Sequence, residues 1–511
     1  MAGGMLLLGL ASHAGAQDAL RAQVDAWRRA HEREILVELT DLLAVPNVAA
    51  DSVRIRANAA RLVALLERRG IRARLLESPA GGPPAVFGEL RVPGATRTVV
   101  MYAHYDGQPV DATQWAAPPW TPVLRAAPGR LTDPIIPLPA AGDTVAHDTR
   151  VYARSASDDK GPIVAMLVAL DALRASGRQP SVNLKFFFEG EEEAGSGHLE
   201  ALLRAHAGLL AADVWLFCDG PAHPTGRPQV VLGVRGAMSV SVTLFGPNRT
   251  LHSGHYGNWA PNPVLALAHL VSALRDQDGR ILIPGFYDDI RPLTAAERAA
   301  VAALPATDDS VRRSLGLDRT EAGGALLGAR ILEPALNVQA IRAGVLGTNA
   351  IPTRAMATFD FRLVPDQRPE RVRVLFEGFL EKQGYVIVRD TLAPELASRR
   401  TRAALVTWDG GYAATRTPVD AAVARAVVEV VGEALGQSPV VVPSLGGSLP
   451  THLFEEVLGA TLVVVPTVNA DNNQHAANEN LRIGHLWDGI ATFAALMVRL
   501  ESAWQEARPA P

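Results

Sequence analysis

A short hydrophobic run that ends abruptly in carboxylates most constrains the fold of this chain. Residues 183–188, NLKFFF, are apolar and aromatic and have the length of a buried strand, which Gly190 ends. The glutamates that crowd around this glycine are Glu189, Glu191, Glu192 and Glu193. Like charges this close require cations or raised pKa values when they are partly buried. The stretch therefore predicts a metal site, and a solvated acidic turn is the alternative.

Length and composition exclude several classes of protein. The 511 residues exceed one ordinary hydrophobic core, so at least two domains are expected. A hydrophobic content of 48% with 20% charged residues is typical of a globular chain rather than a disordered one. The formal charge of −4 and the absence of a long basic run argue against nucleic acid as a partner. No apolar run reaches the about 18 residues that a membrane span needs, so none is expected.

The N-terminus has the pattern of a secretory signal peptide over residues 1–16. Residues 5–10 are apolar, and Ala14, Gly15 and Ala16 form a small-residue cleavage site, although no basic residue precedes the apolar core. The strong preference for Arg over Lys suggests a bacterial source. We therefore expect a periplasmic or secreted protein, and a cytoplasmic one if this segment is not a signal.

The pattern of hydrophobic residues predicts an α/β fold. Strands are predicted to alternate with amphipathic helices through the first half of the chain and again after residue 420. Such alternation predicts a mostly parallel sheet with helices on both faces. The predicted strands are 72–76, 85–90, 98–103, 183–188, 214–218, 440–442 and 461–465, and the predicted helices are 19–43, 52–69, 162–173, 198–207 and 420–435.

Clusters of His, Asp and Glu follow several of these strands. His104, Asp219 and the glutamate cluster come at or directly after strand ends, His475 follows a late strand, and Asp158 precedes a helix. Each residue alone is more often a turn or cap residue. Since carboxyl ends of parallel strands meet at one edge of a sheet, we expect these side chains to converge. Carboxylates and imidazoles together suit zinc, manganese or cobalt and suit calcium poorly.

Taken together, these motifs resemble the M20 metallopeptidases, and within them the carnosinase-like dipeptidases. The motifs are HYDGQPVD at 104–111, YARSASDDKGP at 152–162, EGEEEAGS at 189–196 and LHSGHYG at 251–257, with Asp219 and His475. The resemblance extends from about residue 30 to the C-terminus. It implies a homodimeric enzyme with two divalent metal ions, zinc being expected and manganese or cobalt being alternatives.

The resemblance also implies a role for each residue of the metal site. Asp158 would bridge the two ions, with His104 and Asp219 completing one shell and Glu193 and His475 the other. Further residues would act beside this set. Glu192 would be the general base for a metal-bridging water, Asp106 would orient His104, Asp159 would follow a cis peptide bond, and His252 would stabilise the oxyanion.

Four further residues would bind the substrate, by the same resemblance. Arg362 would pair with its carboxylate, Gly447 and Ser448 would hold its terminus, and Asn349 would donate a hydrogen bond.

Two departures from the family pattern are evident. The glycines usual before the bridging Asp are replaced in residues 153–155, Ala-Arg-Ser, and Glu191 adds a charge near the base.

The hydrophobic pattern changes in residues 239–245 and 356–363, where it largely alternates, as is typical of an antiparallel sheet. This change and the resemblance predict an inserted α+β lid and dimerisation domain, 236–408, between catalytic segments 17–235 and 409–511. Residues 275–330 show no clear period.

The predicted function is hydrolysis of the amide bond of dipeptides or short peptides. An amidase or deacylase acting on N-acyl or N-carbamoyl amino acids is the alternative, because the same metal centre serves both reactions. A binding protein that keeps the fold without activity is a second alternative, which the intact set of candidate ligands and Glu192 argues against.

Overall fold

The structure, a computed structural model, describes residues 19–391, 400–447 and 449–507. The predicted signal peptide, 1–16, and the candidate substrate residue Ser448 lie outside these ranges, so both stay predictions. No helix within the described ranges is long and apolar enough to cross a lipid bilayer.

The chain forms two compact units. The first contains the chain up to Leu232, Thr417–Pro443 and the chain from Leu453 onward, and the second contains Gly233–Arg416 and Ser444–His452. The strands are β1 (Arg72–Leu76), β2 (Ala85–Leu90), β3 (Thr98–His104), β4 (Val123–Arg125), β5 (Ile135–Ile136), β6 (Arg150–Tyr152), β7 (Asn183–Glu189), β8 (Val214–Phe217), β9 (Gln229–Val231), β10 (Gly233–Val234), β11 (Gly236–Phe245), β12 (Leu251–His252), β13 (Ala335–Ala343), β14 (Ala350–Ile351), β15 (Arg354–Leu363), β16 (Val386–Val388), β17 (Ala403–Tyr412), β18 (Thr415–Arg416), β19 (Val440–Val442), β20 (Leu462–Val464) and β21 (Asn480–Arg482).

The helices begin with α1, of which residues 19–30 are described. The others are α2 (Glu32–Leu43), α3 (Ser52–Arg68), α4 (Lys160–Ala175), α5 (Leu199–Leu210), α6 (Ser253–Tyr256), α7 (Pro263–Leu274), α8 (Ala295–Ala302), α9 (Asp308–Ser314), α10 (Leu327–Ile331), α11 (Pro369–Lys382), α12 (Ala422–Leu435), α13 (Thr451–Leu458) and α14 (Ile483–Glu506). The predicted helix over 19–43 is interrupted at His31, between α1 and α2.

An eight-stranded sheet in the order β1-β2-β7-β3-β8-β20-β9-β19 organises the first unit. Its central strands β7, β3, β8 and β20 pair in parallel, which confirms the predicted α/β class. Antiparallel pairs occur at β1-β2, β2-β7 and β20-β9, so the sheet is mixed. The short connection from β1 to β2 explains the first of these, because a parallel pair needs a longer crossover.

Both faces of this sheet are covered. Phe186 and Phe188 of β7 belong to the main core cluster with residues of α4, α12 and α14. Phe187 points to the opposite face, since successive side chains of a strand alternate, and there it packs against Phe454 of α13. The run NLKFFF is apolar at consecutive positions because helices bury both of its faces.

A smaller sheet in the first unit, β21-β6-β4-β5, lies beside the loop that leads to α4. Beyond β6 the chain turns through residues 153–159 and enters α4 at Lys160. β21 pairs with β6 directly after the late loop that contains His475. This pairing brings together two loops that are more than 300 residues apart in the sequence.

The second unit is built on a five-stranded sheet, β13-β15-β11-β17-β16, with β16-β17 as its parallel pair. Side chains of β11 and β15 alternate between buried and partly exposed over much of their length, as the sequence predicted. Buried residues of α7 and α11 complete the core of this unit. Residues 275–330, which showed no clear period, contain the short helices α8 and α9 and most of α10.

Candidate metal centre

Acidic and imidazole side chains gather at one edge of the central sheet. His104 ends β3, Glu189 ends the adjacent parallel strand β7, and Asp219 lies two residues beyond the end of β8. Because these three strands run in the same direction, their carboxyl ends bring the three residues to one edge. The loops after β6 and β20 add Asp158 and His475.

Asp158 lies at the middle of the group. Its Oδ1 is 2.8 Å from Nε2 of His104, and its Oδ2 is 3.2 Å from Nε2 of His475. On the side of His475, Glu193 Oε2 is 3.3 Å from the same imidazole nitrogen. On the side of His104, Asp219 Oδ2 is 3.9 Å from Nε2. The five predicted ligands therefore come together, with one Asp158 oxygen facing each imidazole.

The ligand atoms fall into two groups, each with all its atoms within 4.8 Å of one another. Asp158, Glu193 and His475 form one, as the sequence predicted for one of the two shells. His104 and Asp219 form the other with Asp159, which had no predicted ligand role. Asp159 is fully buried and follows the cis peptide bond that the resemblance implied.

Burial and mutual repulsion raise the pKa values of most of these carboxylates. Burial, together with the charge on Asp158, raises the pKa of Glu193 to about 7 and that of Asp219 to about 6. The pKa of Glu192 lies well above its usual value, chiefly through burial and also through repulsion by Asp219. In contrast, hydrogen bonds from His104 and His475 overcome burial and lower the pKa of Asp158.

The residues present fit divalent cations. Asp159 Oδ1 and Glu193 Oε1 are buried and have no hydrogen-bond partner among the described residues. In the same described part of the chain, the ion-pair contacts of Asp158, Glu193 and Asp219 are with imidazoles. Two imidazoles cannot neutralise this many carboxylates, and nitrogen with oxygen donors is the set that zinc and related metals prefer.

Asp106 contacts both His104 and the turn that contains Glu192 and Glu193. Its Oδ1 lies 3.4 Å from Nδ1 of His104, the imidazole that it is predicted to orient. The same carboxylate accepts hydrogen bonds from the backbone N–H groups of Glu192 (3.1 Å) and Glu193 (3.0 Å). A single buried side chain therefore lies beside the His104 imidazole and holds the turn that carries the predicted base.

Glu191 does not add its charge next to the base, contrary to what its position in the motif suggested. The carboxylate is buried and turns to His198, where it accepts from the backbone N–H and lies 2.8 Å from Nδ1. Adjacent side chains of this turn thus point in different directions, and Glu191 orders the start of α5.

Sequence reasoning missed two residues that contact this group. Gln108 donates from Nε2 to Glu193 Oε2 at 2.7 Å. Glu479 is fully buried and accepts five hydrogen bonds from residues 154–158, the segment that ends in Asp158. Gln108 lies within the first motif, so its proximity to the site was a usable signal. No local pattern indicated a role for Glu479, four residues after His475.

The candidate substrate residues that the structure describes lie in the second unit. His252 and Asn349 are neighbours there, because β12 pairs with β14 and Ser253 N–H donates to the Asn349 carbonyl at 2.9 Å. The His252 side chain is exposed, and its Nδ1 accepts from Gly254 N–H at 3.1 Å.

Arg362 is half-buried, and its Nε donates to Asp360 Oδ2 at 3.0 Å. The Gly447 carbonyl accepts from the backbone N–H of Arg235. The register of the sheet pairs Arg362 with Ala237, two residues after Arg235. Arg362 and Gly447 thus belong to the same end of the second unit.

Comparison with known proteins places the chain in a family. Residues 100–499 match the sequence profile of peptidase family M20/M25/M40. The Cys-Gly metallodipeptidase of Schizosaccharomyces pombe is 28% identical over 92% of this chain and 96% of its own length. The Beta-Ala-His dipeptidase of Homo sapiens is 26% identical over 97% of this chain and 96% of its own length.

The fold leads to the same family. The crystal structure of an M20 family metallo-carboxypeptidase from Sulfolobus solfataricus superposes with a TM-score of 0.72 and 31% identity, and the match covers 91% of this chain and 99% of that one. The family profile matches most of the chain, and the related crystal structure matches nearly all of it. Both matches agree with the groups of Asp, Glu and His side chains that could hold metal ions. The chain belongs to peptidase family M20/M25/M40 and is a metal-dependent hydrolase.

Proposed function

We propose that this enzyme is a dipeptidase that cleaves the amide bond of small peptides with a free carboxylate. The observation that carries the proposal is the position of Asp158, whose two carboxylate oxygens face His104 and His475 at 2.8 and 3.2 Å. Such an arrangement is suited to a carboxylate shared between two ions. Relatives over more than nine-tenths of the chain are dipeptidases for Cys-Gly and Beta-Ala-His, which supports the substrate class.

Two divalent ions, zinc in the first instance, would be held at this centre. His104, Asp158 and Asp219 would bind one, and Asp158, Glu193 and His475 the other. When bound, the ions supply Lewis-acid polarisation of the scissile carbonyl and acidify water at the site. The two groups of ligand atoms and the unpaired Glu193 oxygen support this assignment.

Glu192 would be the general base that takes a proton from the attacking water and returns it to the leaving amine. Its environment supports the role, since burial raises its pKa well above the usual value and thereby strengthens it as a base. The backbone of Glu192 is held by Asp106, which keeps the side chain in a defined position.

The second unit would act as the lid and dimerisation domain and supply the substrate contacts. Arg362 would pair with the substrate carboxylate, because a guanidinium binds carboxylates in a bidentate manner. His252 would stabilise the oxyanion, and Asn349 would donate a hydrogen bond to the substrate. Gly447 and Ser448 would hold the substrate terminus.

We also propose that the enzyme is a homodimer, formed through β13. This strand lies at an edge of its sheet, and the exposed fractions of its Ile341 side chain and of Leu346 in the following loop are 55% and 100%. An edge with apolar side chains is suited to pairing with a second copy. Sedimentation analysis of the wild type should give a dimer, which Ile341→Glu should convert to a monomer. Val374→Glu, on α11, is the control and should leave the dimer intact. A monomeric wild type would contradict the proposal.

The decisive experiment combines metal content with a substrate panel. Purified protein is analysed for zinc, manganese and cobalt, and is then assayed on free dipeptides, their N-acetylated and C-amidated forms, and matched tripeptides. A dipeptidase should bind about two metal ions per chain and should cleave only peptides with both termini free.

Other outcomes would redirect the assignment. Cleavage of N-acetylated compounds alone would establish the deacylase alternative. Sequential removal of C-terminal residues from tripeptides would move the enzyme towards the carboxypeptidase activity named for the Sulfolobus structure. Bound metal without any hydrolysis would favour a binding protein.

A further inference from the structure

We propose that Glu479 is a positioning residue that holds the two metal-binding loops together and thereby sets the affinity for metal. This inference rests on the proposed role of Asp158 and His475 as ligands. It concerns a residue outside the ligand set, and it follows from contacts within the first unit alone.

The Glu479 carboxylate accepts five hydrogen bonds from the loop that ends in Asp158. Its Oε1 accepts from Ser157 N–H, Ser157 Oγ and Asp158 N–H, each at 2.9 Å. Its Oε2 accepts from Ser155 N–H at 2.9 Å and from Arg154 Nη1 at 2.7 Å. All five partners donate in this arrangement, so the two carboxylate oxygens act here only as acceptors.

These contacts fix the backbone of the predicted bridging ligand. Three of the donors are backbone N–H groups, and one of them belongs to Asp158 itself. Converging backbone N–H groups form an anion-binding concavity, which Glu479 fills. Where the family resemblance implies glycines, this loop has Ala153, Arg154 and Ser155, and Arg154 and Ser155 both donate to the Glu479 carboxylate.

The same residue also anchors the loop that carries His475. The Glu479 carbonyl accepts from Ala153 N–H at 3.2 Å, and Arg154 Nη2 donates to the Ala476 carbonyl at 3.4 Å. His475 has a left-handed backbone conformation, φ 60°, which is uncommon for residues other than Gly. Neighbouring contacts must hold such a conformation in place.

The test is Glu479→Gln, which keeps the shape of the side chain but replaces one acceptor by an NH₂ group that would face other donors. Glu32→Gln is the matched control. Glu32 is also buried in the first unit, pairs with the buried Arg28 and accepts from the backbone N–H of Val145. Both variants lose one buried, Arg-paired carboxylate.

The measurement is zinc affinity of the full-length, metal-stripped protein, by competition with a chromogenic chelator, together with thermal unfolding of the stripped protein. Glu479→Gln should weaken zinc binding by about 10–100-fold, the usual effect of changing a residue that orients ligands. Glu32→Gln should leave zinc affinity unchanged. A merely structural role for Glu479 would lower the stability of the stripped protein without changing its affinity for zinc.

Glu479→Gln with zinc affinity within about twofold of wild type would overturn the inference. Should this variant fail to fold, Ser157→Ala removes a single donor to Glu479 and should weaken zinc binding by about fivefold; unchanged affinity there would be equally decisive. A wild type that binds no zinc, manganese or cobalt would overturn the proposed metal centre and this inference with it. If Glu479→Gln and Ser157→Ala both bind zinc as the wild type does, the inference about Glu479 is overturned and the proposed metal centre is not.

Discussion

Glu297 in the second unit allows a quantitative prediction of stability and its dependence on pH. Its carboxylate is 1% exposed and accepts from Arg291 Nη1 and Nη2 at 2.9 and 2.8 Å and from Thr294 N–H at 2.7 Å. Arg416, itself 3% exposed, lies 3.3 Å away. Burial alone would raise the pKa of Glu297, but these partners lower it to about 2.

The magnitude follows from linkage between pKa and stability. One pKa unit corresponds to about 1.4 kcal/mol, so lowering the pKa of Glu297 from 4.5 to about 2 sets an upper limit of about 3.5 kcal/mol. Because the Arg291 side chain is 37% exposed, solvent screens part of this interaction. We expect Glu297→Gln to destabilise the second unit by about 2 kcal/mol at pH 7.

The sign of the pH dependence is fixed by the lowered pKa. The contribution is fully present above pH 4.5, the ordinary pKa of the carboxyl group, and is lost as the pH falls towards 2. The difference between wild type and Glu297→Gln should therefore be constant from pH 5 to 8 and should shrink below about pH 4.5.

Urea unfolding combined with hydrogen exchange of peptides from α8 measures this difference in the second unit alone, since the two units need not unfold together. Glu321→Gln is the control, because Glu321 pairs with Arg275 but is 66% exposed and should change stability by less than about 1 kcal/mol. Equal stability of wild type and Glu297→Gln at pH 7, or a difference that grows on acidification, would refute the reasoning.

Three further predictions concern catalysis and the core. Glu192→Gln should lower kcat by about 10²–10⁴-fold with metal content unchanged, while Glu191→Gln should keep kcat near wild type; equal losses would remove Glu192 from the base role. Arg362→Lys should raise KM for free dipeptides by about tenfold or more without changing the inhibition constants of C-amidated dipeptides used as competitive inhibitors, and a uniform effect on both would contradict carboxylate pairing. Phe454→Ala should destabilise the first unit by about 3–5 kcal/mol in urea unfolding. The Phe454 ring is fully buried, and its centroid lies 4.8–6.0 Å from those of four other aromatic rings. A loss of stability below about 1 kcal/mol would contradict this packing.

The sequence predicted what depends on local pattern. Strands β1, β2 and β19 have the predicted bounds because alternation or continuous apolarity marks their length. The convergence of His104, Asp219 and the glutamates followed from one rule, that parallel strands present their carboxyl ends at one edge. The helix predicted over 19–43 is interrupted at His31. The sequence did not indicate this interruption, because the spacing of its apolar residues continues across it.

Long-range contacts could not be predicted in the same way. Glu479 follows His475 in a polar loop, and its importance comes from donors on residues 154–158. Glu191 looked like another charge beside the base, and only the position of His198 shows that its side chain turns away. The short helices of residues 275–331 lack a clear apolar face, because several of their residues are exposed.

The order of the candidate ligands along the chain has a consequence for synthesis. Four of them precede the second unit, whereas His475 follows it. At translation rates of about 5–20 residues per second, roughly 250 residues between Asp219 and His475 require about 12–50 s. During that interval the nascent polypeptide carries only four of the five candidate ligands. The candidate metal centre can therefore be completed only after the second unit has been synthesised, and a product that terminates before His475 would lack one of its ligands.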